Sequence, residues 1–166
     1  METSRVDVPK AQVDGLALPF LRSEDLPAKA GPHEMRPPSE LDRSPILGIW
    51  QNADEGESGG ILRMDLTEKK GGLRVRALGT GSPEPKDWGE IEAVAYAPDV
   101  SSREAWGFTA TYDFGFLRTT IVSYIKLGDL VTTTYNVFLD RSGRADYWTR
   151  EFFYLTEVPH ASQPSR

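Results

Sequence analysis

Two glutamates, Glu90 and Glu92, stand two residues apart in a run that begins at Trp88 and ends at Ala97. In an extended chain that spacing puts both carboxylates, and Tyr96, on one face. Paired carboxylates divide acid and base roles when their surroundings push their pKa values apart. A tyrosine adds a further proton donor. Glu90, Glu92 and Tyr96 are therefore the catalytic candidates if the protein is an enzyme, with Tyr112 as another acid/base group. The competing reading is a solvated outer face. Asp113 and Asp140 sit beside turn residues and most simply serve turn geometry.

Other chemistries find little support. The chain has no cysteine, so it offers no disulfide, thiolate ligand or thiol nucleophile. Its histidines, His33 and His160, fall in the terminal segments, away from the patterned part of the chain. Neither a metal centre nor a cofactor is expected. Residues 79–82, Gly-Thr-Gly-Ser, lack the lysine and following helix of a phosphate loop.

The elements that must position these groups are strands. Residues 105–155 are filled with aromatic, β-branched and threonine side chains, which suit a pleated, half-buried surface. Short breaks at 113–115, 127–129 and 140–143 carry the Gly, Asp and Ser that hairpin turns accept. Four strands follow one another there with little linker. Upstream, strands are expected at 46–52, 61–67, 73–78 and 88–97, with Gly-rich or polar breaks between them. The expected fold is all-β: an eight-stranded antiparallel up-and-down barrel, an architecture that encloses side chains or one small ligand.

The domain spans residues 45–157. Residues 1–44 form an irregular, proline-rich extension, and 158–166 a tail. One apolar piece, residues 16–21, lies in the otherwise polar extension; it reads as a strap on the outside of the barrel, or as a lid over its mouth.

A net charge of −6 argues against a nucleic-acid surface, which needs clustered Lys and Arg. No apolar run reaches membrane-spanning length, and no apolar signal core opens the chain, so a cytoplasmic location is expected.

Alternation assigns faces. Trp50 and Asn52 share one with Gly48; Trp106, Phe108, Ala110 and Tyr112 share another; Thr132, Thr134, Asn136 and Phe138 share a third. In the fourth strand either the Trp88-Glu90-Glu92-Val94-Tyr96 face or the Gly89-Ile91-Ala93-Ala95 face serves as interior. The mixture of Thr, Asn, Tyr and Trp fits a ligand cavity better than a sealed aliphatic core.

At residues 48–52, Gly-Ile-Trp-Gln-Asn, the chain resembles the calycins, the lipocalin and avidin group of barrels, whose first strand carries Gly-x-Trp. Residues 96–99, 107–112 and 131–143 resemble avidin segments. Arg150 matches the last-strand arginine that packs over the first-strand tryptophan in many calycins. The resemblance implies which face is inner, and so a cavity lined by Trp50, Asn52, Phe108, Tyr112, Thr134, Asn136 and Phe138. Residues 73–78 lack the Tyr and Ser of the avidin biotin set, and no matching Asp follows Trp148. The resemblance thus implies a barrel rather than biotin.

Two functions follow. One is a binding protein for a small, partly apolar molecule; the other is a lipocalin-like barrel enzyme, a cyclase or isomerase acting on a natural-product-like substrate. A filled barrel serving as an interaction domain is a third reading. Partners are accordingly a small-molecule ligand or substrate, without nucleic acid or membrane; a homo-oligomer is compatible with either function.

Overall fold

The computed structural model describes residues 40–54 and 60–158. The apolar piece at 16–21 and both histidines lie outside them.

Turn chemistry fixes the strand order. At Lys70-Gly71 and Leu127-Gly128 both residues have positive φ (52° and 73°; 55° and 92°). Two left-handed residues in a two-residue loop match the twist of the strands they join. They make hairpins in which Lys69 faces Gly72 and Lys126 faces Asp129. The strands are β1 (Gly48–Asn52), β2 (Ile61–Lys69), β3 (Gly72–Gly79), β4 (Lys86–Tyr96), β5 (Gly107–Asp113), β6 (Leu117–Lys126), β7 (Asp129–Phe138) and β8 (Tyr147–Glu157). Each pairs antiparallel with its sequence neighbours, and β1 pairs with β8, so the sheet closes as an up-and-down barrel. Closure leaves no sheet edge. No helix among the described residues is long and apolar enough to cross a membrane.

The lumen has a base and a mouth. Residues 46–47 do not join the first strand, as the apolar pattern suggested. Pro45 sits in the first turn of a 3-10 helix, Ser44–Ile46, where its fixed φ suits the helix and its missing donor costs nothing. This helix carries Ile46 under the base. Trp50, 2% exposed, donates its indole N–H to Ile46 O at 2.9 Å. Phe108, Leu130 and Phe153 are fully buried and belong to the same cluster.

Two face assignments are corrected. Trp88 does not share the face of Glu90 and Glu92. Between Arg76↔Glu90 and Leu78↔Asp87 the β4 side carries one extra residue, a bulge. Gly89 takes φ +83° there, and Asp87 Oδ1 accepts its N–H at 2.9 Å. The bulge reverses alternation, so Trp88 turns inward while Glu90 and Glu92 stay outside. Trp106, in turn, precedes β5 rather than belonging to it. Its N–H goes to Tyr96 O and its carbonyl accepts Ile125 N–H. Its ring lies on the outer surface, 44% exposed, although Phe108, Ala110 and Tyr112 face inward.

Arg150 is also corrected. It is exposed and lies over the Trp148 ring, 5.9 Å away, on the outer side of β8. The side chain opposite Trp50 on β8 is Leu155.

Candidate functional site

Register brings the inward residues at the mouth end of each strand together. They are Asn52 from β1, Ile61 from β2, Ala77 from β3, Trp88 from β4, Tyr112 from β5, Thr119 from β6, Thr134 and Asn136 from β7, and Thr149 and Glu151 from β8. They divide into two walls.

The polar wall spans β6, β7, β8 and β1. Thr119 Oγ1 donates to Asn136 Oδ1 at 2.7 Å, and Asn136 Nδ2 donates to Thr134 Oγ1 at 3.1 Å. Thr134 and Thr149 hydroxyls are 2.7 Å apart. One strand pair further on, Asn52 Nδ2 donates both to Ile61 O at 2.7 Å and to Glu151 Oε1 at 3.1 Å. Asn52 Oδ1 in turn accepts Asp54 N–H at 2.8 Å. The asparagine thus staples the first loop to the last strand.

Glu151 is 9% exposed. Burial pushes its carboxyl above the usual range, and the charge of Asp54 adds to this; the Ile61 and Asn52 donors pull the other way. Its carboxylate fits only because residue 60 is glycine. A Cβ there would sit 2.1 Å from Glu151 Oε1.

The aromatic wall lies opposite, where Trp88 meets Tyr112 edge-on at 5.4 Å and Phe114 at 5.2 Å, and Tyr112 stacks on Phe114 at 5.9 Å. Trp88 packs directly over Gly79, whose missing side chain makes the room. Tyr112 also repairs the β4 bulge. Ala77 has no partner residue across the ladder there. Its N–H donates to the Tyr112 hydroxyl at 3.1 Å, and the hydroxyl proton reaches Gly89 O at 2.9 Å and Val75 O at 3.1 Å. Burial pushes that hydroxyl up to about 12. With its hydroxyl held by three backbone groups, Tyr112 is a neutral donor and acceptor.

The expected residues separate cleanly. Trp50 and Phe108 are in the base; Asn52, Tyr112, Thr134 and Asn136 are buried in the mouth half of the lumen. Phe138 stands at the rim, partly covered by the Arg144 guanidinium 4.0 Å above its ring. Glu90, Glu92 and Tyr96 lie on the outside of the barrel. Glu90 pairs with Lys69 at 2.6 Å, and the Tyr96 hydroxyl accepts from Thr109 Oγ1 at 3.3 Å. No hydrogen bond among the described residues joins them to the lumen. Glu151 and Thr149 were not anticipated. Alternation from Phe153 through Glu151 to Thr149 carried the signal, but a glutamate in a strand ordinarily marks solvent.

Among the described residues no cluster of His, Asp or Glu could hold a metal ion. The arrangement therefore offers polarity on one wall, aromatic surface on the other, and one carboxyl with a raised pKa.

The class defined by this fold and site is a closed antiparallel barrel with a plugged base and a two-walled mouth. We found no match to the chain among protein-family models, curated proteins or solved structures.

Proposed function

We propose that the barrel is a calycin-like carrier that takes a small, partly apolar molecule through its mouth, between the hydroxyl wall and the Trp88-Tyr112-Phe114 wall. The observation that carries this reading is Glu151. A carboxyl costs free energy to bury, and the two donors that reach this one, Asn52 Nδ2 and the Ile61 N–H, leave acceptor positions on both of its oxygens. A ligand hydroxyl or amine donating to Glu151, with its apolar body against Trp88 and Phe114, would use both walls. Asn52, Thr134 and Asn136 would orient it, and Phe138 would meet it at the rim.

The same residue favours a second reading, a lipocalin-like isomerase or cyclase. A carboxyl whose pKa is raised by burial stays protonated nearer neutral pH and can serve as general acid. In that reading Glu151 takes the place first given to Glu90 and Glu92. A homo-oligomer is compatible with both, since Tyr135, Trp148, Phe152 and Tyr154 leave an aromatic surface on the outside of β7 and β8.

Native mass spectrometry of protein purified from its own host tests the carrier reading. A retained small molecule is expected, and Glu151→Gln should retain much less of it. A wild-type protein that never carries a molecule, and whose melting temperature no compound in a broad small-molecule panel raises, would sink the reading. Incubating the released molecule with fresh protein separates the two functions. An isomer of unchanged mass, formed by wild type and not by Glu151→Gln, selects the enzyme.

A further inference from the structure

A cavity lies outside the barrel, near its base. It encloses about 510 Å³ on the outer surface of β4, β5 and β6. Its walls are Tyr96, Pro98, Trp106, Val122, Tyr124 and Ile125, with Thr109 and backbone between them. Tyr96, Trp106 and Tyr124 are each about half exposed, at 50%, 44% and 45%. Large rings left open around one concavity mark a docking site rather than scattered surface residues. The closed sheet has no free edge there, so an occupant must use side chains, not strand addition.

The chain itself points to the occupant. Asp42 bridges in parallel to Glu104: Asp42 N–H donates to Arg103 O at 2.8 Å, and Ala105 N–H donates to Asp42 O at 2.7 Å. Leu41 packs on the core beside them. The bridge is parallel, so the chain enters it in the same direction as the connection that runs from Pro98 to Glu104. Pro98 is a wall of the cavity. Residue 40, where the described chain begins, thus lies two residues from a bridge to the connection that leads from that wall.

Upstream lies an apolar piece, residues 16–21, Leu-Ala-Leu-Pro-Phe-Leu, set in polar and proline-rich sequence. The connection, residues 22–39, has a typical end-to-end span of about 20–25 Å if flexible and about 55 Å if fully extended in polyproline form. Either is ample for a site beside its anchor. Such a tether holds the piece at an effective concentration on the order of millimolar, so a contact too weak for two free molecules suffices. The cavity's size, in the range of about 300–1,000 Å³ that encloses a small ligand, suits a few Leu and Phe side chains.

We propose that residues 16–21 dock into the outer cavity formed by Tyr96, Pro98, Trp106, Val122, Tyr124 and Ile125, as a strap across the outside of β4–β6. The inference is independent of what the lumen binds.

The absence of cysteine makes the test direct. Ser23→Cys in the full chain gives one unique site for a nitroxide label. Paramagnetic broadening of amide signals then reports where residues 16–21 sit. The expected result is loss of most of the signal at Gly107, Thr109, Val122 and Tyr124, with Gly115 and Gly143 at the mouth unaffected. Leu18→Asp with Phe20→Asp, and separately Trp106→Ala, should restore the lost signals while the remaining spectrum stays folded. Broadening at the mouth would overturn the proposal in favour of a lid. Broadening that appears on unlabelled-tail protein mixed with labelled, isotope-silent protein would overturn it in favour of a second copy as occupant. No localised broadening would overturn it outright.

Discussion

Three buried side chains carry distinct physical tasks, and each can be tested alone. Trp50 fills the base and satisfies its indole N–H on Ile46 O. Trp50→Ala should cost about 3–5 kcal/mol, the range for deleting a large buried aromatic, and chemical denaturation would measure it. Tyr112→Phe keeps the ring and removes only the hydroxyl that serves Ala77, Gly89 and Val75. Leaving a buried N–H and carbonyl unpaired should cost about 1–3 kcal/mol, with the Trp88 and Phe114 contacts intact. Glu151 makes a prediction about pH. Its folded pKa is raised, so the native state holds its proton more tightly than the unfolded chain. Stability from this group is therefore full below the ordinary glutamate range and is lost as pH rises through the raised value. Glu151→Gln should flatten that decline; melting temperature followed from pH 4 upward checks it. An unchanged pH profile would mean that the carboxyl is hydrated and not the buried acid of the proposed site.

At the scale of elements, the strands and tight turns were legible because alternation and turn chemistry are local. Lys70-Gly71 and Leu127-Gly128 announce left-handed turns, and inward and outward residues alternate along β6 from Leu117 to Lys126. What alternation cannot register is an inserted residue. The bulge at Gly89 changes no residue type, yet it turns Trp88 inward and completes the aromatic wall. The fourth strand was thus the one where parity read from sequence failed. Trp106 failed for a related reason: it stands one residue before its strand, where pairing does not dictate a face. On the polar wall, parity grouped Thr134 with Asn136 and the calycin resemblance implied that they and Asn52 face inward, whereas Glu151 was hidden by its charge. Gly89 offers the element-scale test. Its φ of +83° is a left-handed conformation, and a Cβ there meets nothing within 4 Å. Gly89→Ala should therefore report backbone strain alone, costing roughly 1–2 kcal/mol. A neutral substitution would mean the bulge relaxes easily and does not fix Trp88.

The whole molecule depends on the seam between β1 and β8, because their pairing alone turns a meander into a barrel. The partners are about a hundred residues apart in sequence, so their contact carries the largest loop-closure cost in the fold. The seam is irregular: Ile49 faces Glu157 while Trp50 faces Leu155, so β8 carries an extra residue. Thr156, the residue passed over, donates its hydroxyl to Ile49 O at 3.0 Å. Gly48 lets the strands approach there. Its φ is +138°, and a Cβ would lie 2.5 Å from Glu157 O and 2.6 Å from Leu155 Cδ1. The leucine can rotate away, but the carbonyl is backbone and cannot move without parting the strands. Gly48→Ala should therefore open the seam rather than merely strain one residue. Amide exchange should rise first along β1 and β8, with β5–β7 protected as in the wild type. The opened strands would present unpaired edges, so concentration-dependent aggregation should accompany the lower melting temperature. Uniformly faster exchange across all eight strands would instead place the damage in the core. Exchange and melting equal to wild type would show that the barrel does not depend on this close approach for closure.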